Sequence, residues 1–105
     1  MEKKVAQKIV LYWRDIPAQV IVKQGRATAK RQLGVRFEQA IDRAAMRAGL
    51  TGSDAYLEQW RRSDPCPVSD DIEAEAAAAA EALEADYTVE RVRAIVAAGG
   101  FEGAD

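Results

Sequence analysis

The chain of 105 residues is long enough for one modest hydrophobic core and too short for two, which predicts a single domain over residues 1–105. Hydrophobic residues make up 49% and charged residues 30%, a balance typical of soluble globular proteins. No apolar run approaches the roughly 20 residues of a membrane-spanning helix, and a single cysteine excludes an internal disulfide. We therefore expect a cytoplasmic protein that does not enter a membrane.

The net charge of −2 conceals an uneven distribution along the chain. Residues 1–62 carry 13 Lys and Arg against 6 Asp and Glu, whereas residues 63–105 carry 2 against 11. The simplest consequence is that the two halves attract each other. The alternative is that the basic half binds phosphate or nucleic acid, with the acidic half as a separate lobe.

The first predicted element is a β-hairpin over about residues 6–24. Residues 8–13 and 18–23 are rich in β-branched and aromatic side chains, which suit a half-buried pleated surface. Pro17 lies in the short gap between them and favours a turn. Apolar residues lie on both faces of the first strand, so we expect helices to cover one face, and a partner or the chain's own tail to cover the other. They are Ile9, Leu11 and Trp13 on one face and Val10 and Tyr12 on the other.

The pattern changes to that of a helix over about residues 28–48, which we predict to be a long core helix. Apolar residues recur there at spacings of three and four, and Gly49 provides a helix end. Val35 and Met46 lie on the opposite face of this helix. Their position predicts that a second element or a partner covers the helix there.

A basic stripe formed by Arg36, Arg43 and Arg47 lies beside the core face of this helix. Arg43 and Arg47 are like charges one turn apart, which is mildly unfavourable in an isolated helix. We therefore expect negative charge close to the stripe. The acidic C-terminal half is one source, and an anionic ligand is the functional alternative.

Three further helices are predicted over about residues 53–62, 71–86 and 88–98. The first has a helix-start pattern at Thr51 and ends before two prolines. The second is rich in alanine and acidic residues, and the third begins at Thr88 and ends at two glycines. The predicted fold class is α+β: an N-terminal β-hairpin packed on a long core helix, followed by three further helices.

The residue types present exclude several chemistries. Without histidine the usual serine or cysteine triad cannot form, and one cysteine cannot build a zinc or iron–sulfur site within one chain. No glycine-rich phosphate loop occurs. Cys66 lies between two prolines with Arg61 and Arg62 nearby, which favours its thiolate, but no base accompanies it. We predict that the chain is not an enzyme and binds no cofactor or metal.

The basic half leaves nucleic-acid binding as an alternative. Basic residues crowd the exit of the hairpin, and two hairpin aromatics could stack on bases. A pI near 5.2 and the lack of a known binding motif argue against a dedicated nucleic-acid-binding domain. A protein partner is the better-supported prediction. Its predicted contact residues are Tyr12, Trp13, Arg14, Asp15, Arg36, Arg43 and Arg47.

Two segments of the chain resemble the bacterial virulence factor family. They are residues 10–20, with the sequence VLYWRDIPAQV, and residues 36–45, with the sequence RFEQAIDRAA. The family comprises small proteins and domains similar to the C-terminal part of conserved virulence factor C, and the resemblance runs over most of residues 5–98. This chain does not contain the helical-repeat and iron–sulfur-scaffold-like segments of longer members.

The resemblance implies an accessory or assembly role and supplies no catalytic residues. Short members of the family are encoded near folate- and corrinoid-dependent methyl-transfer enzymes, which implies a one-carbon methyl-transfer or metallocofactor pathway. We therefore expect a non-catalytic accessory protein that acts through protein–protein interaction. The alternative is a weak binding module for nucleic acid or an anionic cofactor that uses the basic N-terminal half.

Overall fold

Within residues 5–52 and 54–102, which the computed structural model describes, the chain forms a five-stranded antiparallel sheet and four helices. This composition confirms the α+β fold class. In chain order the elements are β1 Ala6–Trp13, β2 Ile16–Gln24, β3 Ala27–Gln32, α1 Val35–Arg47, α2 Asp54–Glu58, β4 Trp60–Arg62, β5 Cys66–Val68, α3 Ile72–Asp86 and α4 Val89–Ala97.

The predicted β-hairpin, β1 and β2, forms the centre of a larger sheet. β3 pairs with the outer edge of β2, and β4 and β5 pair with different parts of the outer edge of β1. In β2, Ala18 is an extra residue between the partners of Leu11 and Tyr12, which makes a bulge near the turn. β1 is therefore paired on both of its edges.

The prediction of a long core helix over residues 28–48 is wrong for its first part. Residues 27–32 form the edge strand β3, and α1 begins only at Val35. In β3 only Ala29 is buried, while its neighbours are exposed. An alternating pattern with one small buried residue gives a weak strand signal, so the helical spacing of the residues that follow was extended too far back.

The helix predicted over residues 53–62 is a short helix followed by a strand. α2 ends at Glu58, and Trp60 lies opposite Trp13 in the pairing of β4 with β1. The predicted start at residue 53 lies outside the described residues. Sheet pairing thus overrides the helical spacing of the aromatic residues in this segment. The last two helices, α3 and α4, have bounds within one residue of those predicted.

Two apolar clusters hold the elements together, and they divide the helices between them. The first lies at the turn end of the hairpin, where the buried face of α1 meets α4. The second lies between the sheet and α3, where Ala76 is fully buried and allows the helix backbone to approach the strands closely. The predicted packing of the hairpin on one long helix is therefore not confirmed. The largest members of the first cluster are Trp13, Ile16, Leu33, Phe37, Ile41, Tyr87, Val92 and Ile95.

Two ion pairs join the basic half of the chain to the acidic helix α3. Arg31 Nη2 lies 3.2 Å from Glu73 Oε1, and Arg36 Nη2 lies 3.5 Å from Glu84 Oε1. All four side chains are partly exposed, so each pair contributes at most about 1 kcal/mol to stability. One pair joins α3 to the edge strand β3, and the other joins it to the start of α1.

Candidate functional site

Trp13, one of the predicted contact residues, belongs to the hydrophobic core. Its side chain is 0% exposed, and its indole Nε1 donates a hydrogen bond to the carbonyl oxygen of Tyr56 at 2.9 Å. A side chain without exposed area cannot touch a partner in the folded protein. The prediction that Trp13 is a contact residue is therefore wrong.

Arg14 ties the hairpin turn to the C-terminal end of the described chain. Its Nη1 donates to the carbonyl oxygen of Gly99 at 2.8 Å, and its Nε donates to Gln59 Oε1 at 3.1 Å. The guanidinium carbon also lies 4.5 Å from the centre of the Phe101 ring, which is a cation–π contact. It also lies 5.2 Å from the centre of the Trp13 ring, so the Arg14 side chain has four partners within its own chain.

Asp15 makes a second connection between the turn and the same C-terminal residues. Its Oδ1 accepts a hydrogen bond from Arg61 Nη2 at 3.0 Å, and its Oδ2 accepts one from the backbone N–H of Glu102 at 2.7 Å. Arg61 also lies over the half-buried ring of Tyr12, 4.5 Å from its centre. The charged side chains of Arg14 and Asp15 therefore each have structural partners, and a role for Tyr12, Arg14 and Asp15 in partner binding stays a prediction.

The carboxylate of Glu102 supplies a pH-dependent part of this connection. Arg91 Nη2 donates to Glu102 Oε1 at 2.8 Å, and this hydrogen bond holds the pKa of Glu102 below its ordinary value of 4.5. Since the folded state then binds fewer protons than the unfolded state, the stabilisation is present above pH 4.5 and is lost as the pH falls through the lowered pKa.

We expect Glu102→Gln to lower the free energy of unfolding at pH 7 by up to about 1 kcal/mol, because the pair is partly exposed. At pH 3 the difference from the parent protein should shrink, and urea unfolding at both pH values measures it. Glu81→Gln is the matched control, since Glu81 makes no ion pair within the described residues. An equal loss at both pH values would contradict this role for Glu102.

The structure divides the predicted arginine stripe. Arg36 is half-buried, stacks on the Phe37 ring at 4.2 Å and pairs with Glu84 of the acidic half, as expected. Arg43 and Arg47 are exposed and form no ion pair with any residue in the described ranges. Arg36 and Arg43 line a groove between α1 and α4, but Arg47 lies outside it.

Helices cover the two faces of the sheet unequally. α3 packs against the face that carries Val10, Val20 and Val22. The antiparallel register places Ile9 opposite Ile21, and side chains alternate along a strand, so this pair lies on the other face. The alternation predicted from the sequence of β1 therefore separates a face that packs against α3 from a face that does not.

The apolar centre of this second face consists of Ile9, Leu11 and Ile21. None of the three belongs to either of the apolar clusters that the described residues form, so the apolar sides of the described helices do not pack over them. Ile21 is only 7% exposed, whereas Ile9 and Leu11 are half-buried. The centre is thus partly accessible.

Basic residues surround this apolar centre. Lys30 of β3 lies opposite Ile21, and Arg62 of β4 lies opposite Leu11. Lys23 of β2 lies two residues beyond Ile21 on the same face. Among the strand residues that the structure describes, no acidic side chain lies on this face. We call this surface the open face, defined by Ile9, Leu11, Ile21, Lys23, Lys30 and Arg62.

The described residues form neither a metal-binding cluster nor a membrane-spanning helix. They contain no group of three or more His, Cys, Asp or Glu side chains that could hold a metal ion. Cys66 is exposed, and its Sγ contacts only the carbonyl oxygen of the next residue, at 3.8 Å. None of the helices within residues 5–52 and 54–102 is long and apolar enough to cross a membrane.

A small α+β domain, with one sheet face covered by α3 and the other open beyond the turn end of the hairpin, is thus the class of protein that the geometry defines. The chain belongs to the virulence factor family, since the family model described as "Virulence factor" matches residues 11–96. The match confirms the resemblance drawn from residues 10–20 and 36–45 and extends over α3 and most of α4. No curated protein and no solved structure matches the chain.

Proposed function

We propose that this protein is a non-catalytic accessory protein that binds another protein through the open face. The observation that carries the proposal is an apolar centre ringed by cations on one side of a sheet whose other side is covered by α3. The one-carbon methyl-transfer or metallocofactor pathway is part of the proposal and rests on the family resemblance alone.

The composition of the open face differs from that of an ordinary solvated sheet. An antiparallel sheet with one face in water usually has polar residues on that face. Here Ile9 and Ile21 form a direct cross-strand pair, and Leu11 follows two residues later on β1. A covering partner would complete the burial of Ile9 and Leu11, and the removal of apolar surface from water is the main driving force of such contacts.

The helix on the opposite face indicates what kind of segment fits this sheet. α3 presents small apolar residues such as Ala76 to the strands, while its Glu73 pairs with Arg31 of β3. The open face offers the same combination of aliphatic centre and basic rim. We therefore expect the partner to supply an amphipathic helix with an apolar side and acidic flanks.

Binding of nucleic acid or an anionic cofactor ranks behind protein binding. Stacking of bases needs accessible aromatic rings, but Trp13 is buried and Tyr12 lies on the other face of β1, beneath Arg61. The open face has an aliphatic centre, although the half-buried Trp60 lies on the same face of β4 as Arg62. Its centre therefore fits an apolar protein surface better than it fits a base.

Charge reversal on the open face tests the proposal. The tagged protein with Lys30→Glu and Arg62→Glu should recover at least about tenfold less of its co-purifying protein partner, because two attractive contacts become repulsive. Arg26→Glu with Arg93→Glu is the matched control, since it makes the same change in net charge at exposed positions outside the open face and outside the predicted contact residues. Both variants should retain the thermal unfolding midpoint of the parent protein within a few degrees.

Equal recovery of the partner with both double variants would contradict the proposed surface. Treatment with nuclease before elution separates the alternatives. Loss of the retained material after nuclease, in the parent protein, would favour the nucleic-acid function over protein binding.

A further inference from the structure

The groove between α1 and α4 is distinct from the open face. It has a volume of about 130 Å³, and three arginines from two helices stand around an apolar floor. No acidic residue is among the described residues that line it. The floor consists of Ala40, Val89, Val92 and Val96, and the polar lining residues are Arg36, Gln39, Arg43 and Arg93.

Arg36 lines this groove, and one of its guanidinium nitrogens has no hydrogen-bond partner among the described residues. Its Nη2 donates to the carbonyl oxygen of Glu84 at 2.8 Å, and the guanidinium stacks on the Phe37 ring. Its Nη1 is buried and has no hydrogen-bond partner among the described residues. A buried donor without a partner is costly, so the Arg36 guanidinium has hydrogen-bonding capacity that its own chain does not satisfy.

Arg43 and Arg93 bring two further positive charges to the groove from opposite sides. Neither forms an ion pair or hydrogen bond with a residue that the structure describes. Each guanidinium presents several N–H donors in a planar fork, which matches the oxygens of a phosphate or carboxylate. The groove therefore combines arginine N–H donors that have no partner with an apolar floor.

We propose that this groove binds a small organic anion, with its phosphate or carboxylate head among the three arginines and its apolar end on the valine floor. A volume of 130 Å³ equals that of about four water molecules. It accommodates an anionic head group with a short aliphatic chain. The inference does not depend on partner binding at the open face.

Titration of the isotope-labelled full chain, followed by amide chemical shifts, tests this site. The probes are butyl phosphate, inorganic phosphate, hexanoate and the uncharged butanol. Butyl phosphate or hexanoate should cause saturable shifts at residues 36–43 and 89–96, and comparison of the two identifies the preferred head group. Inorganic phosphate should bind the same residues more weakly, because it has no apolar end. Butanol should not cause saturable shifts.

Two single variants assign the binding to the arginines. Arg43→Gln and Arg93→Gln should each weaken binding at least about tenfold, because each removes charge-assisted hydrogen bonds. Arg47→Gln is the matched control on the same helix outside the groove, and it should bind as the parent protein does. The absence of saturable shifts with either organic anion, or equal affinity in all three variants, would overturn the proposal.

Discussion

Replacing Trp13 by alanine is expected to lower the free energy of unfolding by about 3–5 kcal/mol, the range for loss of a fully buried large aromatic side chain. Trp13 is 0% exposed, lies opposite Ile16 and Trp60 in the sheet, and donates a hydrogen bond to Tyr56. The variant loses the packing and leaves the Tyr56 carbonyl without this donor. Urea unfolding monitored by circular dichroism measures the change.

Trp60→Ala is the control for this prediction, because Trp60 lies opposite Trp13 in the sheet but is only half-buried. Its loss should cost clearly less than that of Trp13. A change below about 1 kcal/mol for Trp13→Ala would contradict the central position of this side chain. Loss of a protein partner in the Trp13 variant would reflect unfolding, so it would say nothing about the binding surface.

Replacing Gly100 by alanine is expected to cost about 2–4 kcal/mol, because backbone strain and steric overlap add. Gly100 has a φ of +105°, and a Cβ built there would lie 3.0 Å from the Trp13 ring and 3.0 Å from Arg14 Cδ. The variant must therefore push the C-terminal residues away from the hairpin turn. Thermal or urea unfolding measures the effect.

Gly49→Ala separates the effect of backbone strain from that of steric overlap. Gly49 also has a positive φ, +73°, but a Cβ there would meet no atom within 4 Å. It should cost only the backbone term, about 1–2 kcal/mol. Equal losses in the two variants would show that the contact of Gly100 with Trp13 and Arg14 is not tight.

The elements that the sequence predicts well have local signals. Thr88 accepts a hydrogen bond from the backbone N–H of Arg91 at 3.1 Å, which is the cap that the sequence indicates for α4. α3 begins at a similar cap, in which Asp71 Oδ1 accepts a hydrogen bond from the backbone N–H of Ala74 at 3.2 Å. Local hydrogen bonds of this kind depend on residues three positions apart, so they can be read without knowledge of the fold.

The elements that the sequence misses depend on distant partners. β4 is a three-residue strand that exists because β1 offers a free edge. β3 has a single buried residue, Ala29, and follows the course of β2. Periodicity within such short segments is too weak to compete with an adjacent helical pattern. Hence the extent of the sheet could not be derived from the sequence.

The same limit applies to the candidate sites. Sequence spacing identifies Arg36 and Arg43 on one stripe, but Arg93 joins them only because α4 packs beside α1. The aliphatic centre of the open face was visible as an apolar alternation, whereas Lys30 and Arg62 reach its rim on strands that were not predicted. The burial of Trp13 could not be predicted from its residue type, because it depends on C-terminal residues that fold back over its side chain.

The central position of β1 constrains the order in which the chain can acquire its structure during synthesis. The backbone groups on one edge of β1 can pair with β2 soon after β2 has been synthesised. Those on the other edge have no strand partner until β4 and β5 have been made, and these strands follow α1 and α2 in the chain. Until residue 68 has been made, this edge presents unpaired backbone groups beside apolar side chains, a template for association with other chains. Closure of the turn waits longer, since Asp15 bonds to Glu102, 87 residues away. A nascent chain that stalls within α1 is therefore the form of this protein most exposed to aggregation.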